Sequence, residues 1–510
     1  MIRKAADIRL KVLPIGSNME HLYYYEGPCR FGKGDALKPG YDRLANAQAA
    51  KEFYNNVTKW VPSGCDVLNI ELINGNDTWK VSEEQWERLA KSIAEADVIA
   101  ALPRIGTDQL FMEMIERFNK PVVYSPTGIC AIAETAALRS KPEKSYQLYP
   151  TWSWENFTVR LAALRAAKII KNTTFLLATR FGSTTSFSSV DSFNNYDLIT
   201  SRLGAHFRFI NAHELLDQMD PMPEGGNHTT PGRDTLNITE DDMKEIEALA
   251  DELLGGAKEV EVSRKHMINS LKAYQTVKKL MDFYDCNAFS APCPDICSTR
   301  RLNQMQFTFC LTHSLLTEQG IPSACEFDVS CAMSEQALIA VSGMNPYMGN
   351  AYPVRVENGK ISILHVSDED VAELNKDPKN LYSIQHSVPH RRMKDPNKNA
   401  EYSIRHFAQD QEFGAIFRYD WKQDIGQVVT TCRFSPDGGK LFIGRGTIVG
   451  GGGYKDQGCS GPVIIRVRDH EDFFEKQCNV GMHLPIVYGD VTEELKSLAD
   501  VLGIEAITSI

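Results

Sequence analysis

The sequence predicts an α/β protein in which two N-terminal domains with parallel sheets precede a C-terminal domain of mostly antiparallel strands. Over roughly the first 160 residues, short apolar strands alternate with amphipathic helical stretches. The alternation restarts in the segments NTTFLLATRFGS and HFRFINAHELLDQM, and from about residue 340 it gives way to hairpins. We therefore expect domains at residues 1–160, 161–340 and 341–510.

Local signals support each part of this layout. Ser82 followed by Gln85 forms the pattern of a capping box and predicts that a helix begins there. Farther along, the segment TEDDMKEIEALADELLGG repeats apolar residues at the helical period and stops at two glycines. The dipeptides Asn358-Gly359 and Asp437-Gly438 lie between alternating apolar residues and predict hairpin turns.

Composition and charge exclude several classes of protein. The chain has 510 residues and a formal net charge of -11, which opposes non-specific binding to nucleic acid or to anionic membranes. No stretch approaches the ~18 apolar residues of a membrane span, and the N-terminus lacks the apolar core of a signal peptide. Twelve scattered cysteines are typical of reduced thiols, so we expect a cytoplasmic protein. Cys286, Cys293 and Cys297 lack paired CxxC spacing, so the sequence does not favour zinc there.

The most informative segment is GIPSACEFDV, which contains Glu326 and Asp328, followed by a helix-length stretch that reaches Asn350. Further blocks are YSIQHSVPHRRM with His386, YSIRHFAQDQEFGAIF with His406, and GMHLPIVYGDVTEELKSLADVLG with His483. Together these blocks resemble the L-fucose isomerase-like family over about residues 290 to 510. The N-terminal half is similar to that family only in its architecture.

The resemblance implies a metal-dependent isomerase that converts an aldose to a ketose. Moving a carbonyl between adjacent carbons requires proton transfer and creates negative charge on neighbouring oxygens, which a divalent metal stabilises. Carboxylate and imidazole ligands suit Mn²⁺. In this family the ligands are Glu, Asp and His, which implies Glu326 and His483 as ligands here and Glu326 as a catalytic base.

The second carboxylate of the family pattern is replaced by Asn350. An amide can bind a metal through its oxygen, but it carries no charge and does not act as a base. Another acid is then needed, and the sequence offers Asp328 or Asp490. If Glu326 lies on a strand, Asp328 points to the same face, so we favour Asp328 as the second catalytic group.

A cluster of basic residues follows His386. His386 itself precedes Val388-Pro389 and is a candidate contact to a substrate oxygen, while His390 and Arg391 could bind an anionic substituent of the substrate. Two alternatives to a neutral-sugar isomerase therefore stay open: an isomerase of an anionic sugar, sulfonated like sulfoquinovose or phosphorylated, and a non-catalytic sugar-binding or regulatory protein. The family resemblance also implies a homo-oligomer, either a trimer or a hexamer, that acts on a small-molecule sugar.

Overall fold

The computed structural model describes residues 2–510 apart from 20–40, 76–79, 105–106, 127–128, 142–144, 180–192, 222–235, 298–299, 364–365, 457 and 460. Its internal contacts divide the chain into two compact units, residues 6–168 and residues 169–510 together with 1–5. The predicted boundary after residue 340 falls inside the larger unit. Within the described ranges, no helix combines the length and the apolar character that crossing a bilayer requires.

The smaller unit is a parallel sheet with helices, as the sequence predicted. Its elements are β1 (Leu10–Met19), α1 (Tyr41–Trp60), β2 (Cys65–Val67), β3 (Glu71–Gly75), α2 (Glu83–Glu95), β4 (Val98–Leu102), α3 (Asp108–Phe118), β5 (Val122–Tyr124), α4 (Ile129–Arg139), β6 (Leu148–Tyr149) and the start of α5 (Trp154–Lys171). Strand β1 pairs with β2 and β3 along one edge and with β4 along the other, and β5 and β6 continue the sheet.

Helix α2 shows how the sequence directs this packing. It begins where the capping pattern predicted, because the Ser82 side chain accepts a hydrogen bond from the backbone N–H of Gln85. The Gln85 side chain does not return to Ser82 and instead bonds the backbone of Asn74 on β3. Trp86 and Leu89 recur on one face and are buried against the sheet.

The larger unit begins with a second parallel sheet, ordered β10-β9-β7-β8. Its strands are β7 (Thr174–Thr179), β8 (His206–Asn211), β9 (Ala288–Ser290) and β10 (Ser323–Ala324). Its helices are α6 (Tyr196–Leu203), α7 (Ala212–Asp217), α8 (Glu240–Gly256), α9 (Arg264–Phe283), α10 (Cys293–Cys297), α11 (Arg301–Met305) and α12 (Cys310–Glu318). Helix α8 ends at the glycines that the sequence indicated, and its apolar face packs into the core of this sheet.

The C-terminal strands form a mostly antiparallel barrel, which confirms the predicted fold class. Six strands close into a ring in the order β17-β20-β11-β14-β19-β18, because β17 also pairs with β18. Strand β21 adds to β18 in parallel outside the ring. The elements of this part are α13 (Val329–Ser342), β11 (Tyr347–Pro353), β12 (Arg355–Glu357), β13 (Lys360–Ser362), α14 (Asp368–Leu374), β14 (Leu381–Gln385), β15 (Ser403–His406), β16 (Ala415–Arg418), β17 (Val428–Phe434), β18 (Lys440–Gly451), β19 (Val463–Val467), α15 (His470–Gln477), β20 (His483–Tyr488), α16 (Thr492–Leu502) and β21 (Glu505–Ser509).

Both predicted turns occur where the sequence placed them. Asn358-Gly359 joins β12 to β13, and both residues have positive φ, as a tight two-residue hairpin requires. Asp437-Gly438 lies between β17 and β18. Helix α13 connects the two sheets of this unit and is buried along almost its whole length, because it packs against β17 and β20 of the barrel and against β10.

Candidate metal centre

The turn that carries Glu326 follows the second parallel sheet and leads into α13. The sequence argument assumed a strand at Glu326, and that assumption is wrong: strand β10 ends at Ala324. Glu326 and Phe327 both adopt left-handed backbone conformations, with φ of 60° and 63°. Such conformations are costly for residues with a side chain and cluster at functional sites. The turn is fixed because the N–H of Phe327 donates to the carbonyl of Ala291.

Glu326, His386 and His483 converge beside the middle of β11, where β14 ends and β20 begins. Glu326 Oε1 lies 3.6 Å from His386 Nε2, and Glu326 Oε2 lies 3.8 Å from His483 Nε2. The two imidazole rings stand edge to face with their centres 5.4 Å apart. Both histidines are buried, whereas the Glu326 side chain keeps 17% of its surface exposed. One carboxylate and two imidazoles therefore bring their ligand atoms to within 4.8 Å of one another, close enough to share a metal ion.

Barrel strands fix both histidines. His483 is the first residue of β20, and His386 directly follows the last residue of β14. Strand β11 lies between these two strands and pairs Asn350 with His483 on one side and with Gln385 on the other. Directly paired residues of an antiparallel sheet share a face, so the Asn350 side chain stands beside His483. The predicted ligands Glu326, Asn350 and His483 are thus neighbours in the fold, and His386 joins them.

Asp328 is the N-cap of α13 and has a different role from the one that we predicted. Its carboxylate accepts hydrogen bonds from the backbone N–H of Cys331, from both terminal nitrogens of Arg433, and from His483 Nδ1 at 2.8 Å. Burial raises its pKa, but the Arg433 charge and the His483 hydrogen bond outweigh burial and lower the pKa below its usual range. A carboxylate with its acceptor positions filled in this way is a poor proton carrier, so this geometry argues against Asp328 as the second acid or base.

Asp328 instead positions His483. Because Nδ1–H donates to the carboxylate, Nε2 carries the lone pair and faces Glu326. A carboxylate behind a histidine in this way is the usual support for a metal-binding imidazole. Arg433 was missed by the sequence analysis, and its only signal was its position in an otherwise apolar strand, where a buried arginine requires an anionic partner.

His386 is held on its other side by Cys459. The Cys459 sulfur lies 3.8 Å from His386 Nδ1. Burial lowers the pKa of His386, but the charges and hydrogen bonds of Cys459 and Glu326 outweigh burial and raise it to about 10. A cation at Nε2 would compete with the proton, so metal binding here is expected to release a proton.

The other two predicted substrate residues lie apart from this cluster. His390 is buried, donates from Nε2 to the carbonyl of Pro346 and accepts at Nδ1 from the N–H of Arg392; burial lowers its pKa to about 4. Arg391 is buried against Glu318, which it binds through its backbone N–H and its guanidinium. Both side chains are engaged in the core, which leaves them unsuited to bind a substrate.

Comparison with known proteins gives no family for the chain. No model of a protein family matches it, and no curated protein is similar enough to count as a match.

Proposed function

We propose that this protein is a metal-dependent aldose–ketose isomerase that uses Mn²⁺ or a closely similar divalent ion. The observation that carries the proposal is the convergence of Glu326, His386 and His483, with Asn350 of β11 beside His483. The family resemblance implies the reaction class, which is the conversion of an aldose to a ketose, and it also implies a homo-oligomer. The fold agrees with that resemblance, and the site contains the residue types that the reaction needs.

The donors present fit such an ion. Asn350 Oδ1 is buried and has no hydrogen-bond partner among the described residues, and His386 Nε2 faces Glu326 Oε1 at 3.6 Å. Buried polar atoms are nearly always satisfied, so the Asn350 oxygen indicates a missing partner that accepts a lone pair. Two imidazole nitrogens, a carboxylate and an amide oxygen form a mixed nitrogen and oxygen donor set without thiolates, which a divalent ion such as Mn²⁺ accepts.

The residues themselves divide the work of the reaction. Glu326 is the only one of the cluster that combines a carboxylate with solvent exposure, so it is the group that can take a proton from one sugar carbon and return it to the next. Asp328 and Arg433 hold His483 in one tautomer and one orientation. When bound, the divalent ion supplies positive charge for the negative charge that develops on two adjacent substrate oxygens. Asn350 places its amide beside His483 but neither takes up nor releases a proton at neutral pH.

The two alternatives are less well supported by this geometry. The anionic-sugar alternative depended on Arg391 and His390, whose side chains are committed to Glu318 and Pro346, so only the neutral Asn350 still favours it. A non-catalytic sugar binder has no need for a carboxylate held between two buried imidazoles.

The test is to measure Mn²⁺ content and isomerisation of neutral aldoses in the parent and in Glu326→Gln. This change keeps the shape of the side chain but removes its charge and its basicity, so we expect activity to fall by at least ~10²–10⁴-fold with the fold unchanged. Glu259→Gln, at an exposed position outside the cluster, is the matched control. A Glu326→Gln variant with activity within tenfold of the parent would remove Glu326 from the mechanism. A parent enzyme that retains no divalent metal under any condition would refute the proposal as a whole.

A further inference from the structure

A second group of metal-binding residue types lies next to the cluster described above but shares no residue with it. Cys293, His313 and Cys325 bring two sulfurs and one imidazole nitrogen to within 4.8 Å of one another. They come from three separate elements: Cys293 begins α10, His313 lies in the middle of α12, and Cys325 follows β10. His313 and Cys325 are buried, and Cys293 is partly exposed. We call it the thiol–imidazole cluster.

The distances in this cluster match those of a tetrahedral metal site. With metal–sulfur bonds of about 2.3 Å and metal–nitrogen bonds of about 2.0 Å, tetrahedral angles place two sulfurs about 3.8 Å apart and a sulfur and a nitrogen about 3.5 Å apart. The two sulfurs of Cys293 and Cys325 are 3.5 Å apart, and Cys293 Sγ lies 4.0 Å from His313 Nε2. These two distances differ from the ideal by at most about half an ångström, which small side-chain rotations can supply, and the third pair, Cys325 Sγ and His313 Nε2, lies within 4.8 Å.

The imidazole of the cluster is held as a ligand would be. Its Nδ1 lies 2.8 Å from Ser323 Oγ, which fixes the ring and leaves Nε2 facing Cys293. The Phe289 ring stacks on the imidazole with centres 5.6 Å apart. Ser323 is itself held, since its N–H donates to the buried Glu335 carboxyl group. Such outer support is typical of metal-binding histidines.

We propose that Cys293, His313 and Cys325 bind a thiolate-preferring ion of the zinc class, with the fourth position taken by water. The site is separate from the one at Glu326, and its donor set differs, because two of its three ligands are thiolates, which the set at Glu326 lacks. The ion ties α10 and α12 to the residue that immediately precedes Glu326. It therefore stabilises the left-handed turn on which the Glu326 carboxylate is presented.

The experiment uses the full chain, reduced and freed of metal, and measures the binding of Zn²⁺ in the presence of excess Mn²⁺. We expect the parent to bind one Zn²⁺ per chain more than the cysteine variants do, and Co²⁺ in its place should give the strong near-ultraviolet absorption of a cobalt–thiolate bond. Cys293→Ser and Cys325→Ser should weaken Zn²⁺ binding by at least ~100-fold and abolish that absorption, and His313→Gln should weaken binding by at least ~10-fold. Cys432→Ser, which changes a buried cysteine in the barrel, is the matched control and should bind as the parent does.

The outcomes separate this proposal from the proposed function. Glu326→Gln should lose activity yet keep the cobalt–thiolate absorption, so failure of the isomerase proposal would leave the zinc proposal standing. The cobalt spectrum of the unmodified protein does not depend on whether a variant folds. The absence of that absorption in the reduced parent would overturn the inference. A Cys293–Cys325 disulfide in the purified protein, with no Zn²⁺ bound after its reduction, would overturn it as well.

Discussion

Replacing Asp328 by asparagine tests the role that the structure gives to this buried carboxylate. Four donors converge on its two oxygens, and the substituted side chain would place an amide NH₂ against two of them. The Arg433 charge would also lose its anionic partner in a fully buried position. Removing one partner of a buried ion pair costs about 3–5 kcal/mol, and loss of the support behind a metal-binding histidine costs about 10–100-fold in metal affinity.

The assay is urea unfolding of the metal-free protein, combined with calorimetric titration of Mn²⁺. Glu401→Gln, which breaks the exposed ion pair with Lys258, is the control and should cost less than about 1 kcal/mol. The double variant Asp328→Asn/Arg433→Met should recover part of the lost stability, because no uncompensated charge remains, but should not recover the Mn²⁺ affinity. If Asp328→Asn binds Mn²⁺ as tightly as the parent, the carboxylate does not position His483 and the reasoning fails.

Three further changes test other parts of the structure. Asn350→Asp should strengthen Mn²⁺ binding in the same titration and raise the KM of any anionic sugar; unchanged affinity would place Asn350 outside the metal's ligands. Gly349→Ala should cost about 1–3 kcal/mol in urea unfolding and weaken Mn²⁺ binding, because its Cβ would lie 2.7 Å from the backbone nitrogen of Gln385. Burial raises the pKa of the Glu134 carboxyl group to about 8. The folded state therefore keeps the carboxyl proton at pH values where the unfolded chain has lost it, and the free energy of unfolding should fall between about pH 4.5 and 8. Glu134→Gln should reduce this dependence on pH, measured by urea unfolding at several pH values, and Glu95→Gln, at an exposed position, should leave it unchanged.

The fold class followed from local patterns in the sequence. Strand and helix periods, the cap at Ser82 and the turn at Asn358-Gly359 depend on neighbouring residues, and these predictions are confirmed. Closure of the barrel could not be predicted, because the pairs β17–β20 and β11–β20 are set by packing between segments that lie far apart in the chain.

The candidate site was predictable only where a motif carried it. The motif indicated Glu326, Asn350 and His483 as ligands, and these stay predictions that the fold places side by side. His386 was predicted as a substrate contact, because nothing in the sequence shows that β14 ends beside β11. Arg391 shows the opposite error. A run of basic residues indicates an exposed anion site, and only the fold reveals that Glu318 buries and neutralises this arginine.

The order of strands in the barrel has a consequence for synthesis of the protein. Glu326 and His386 leave the ribosome long before His483, and β20, which carries His483, pairs with both β11 and β17. Chains emerge at roughly 5–20 residues per second and fold from the N-terminus onward. The nascent chain therefore passes through a period in which the first two donors exist without the third. We expect the metal proposed for Glu326 to load only after the barrel has closed, so the ion bound would be set by the free metal ions present at that moment.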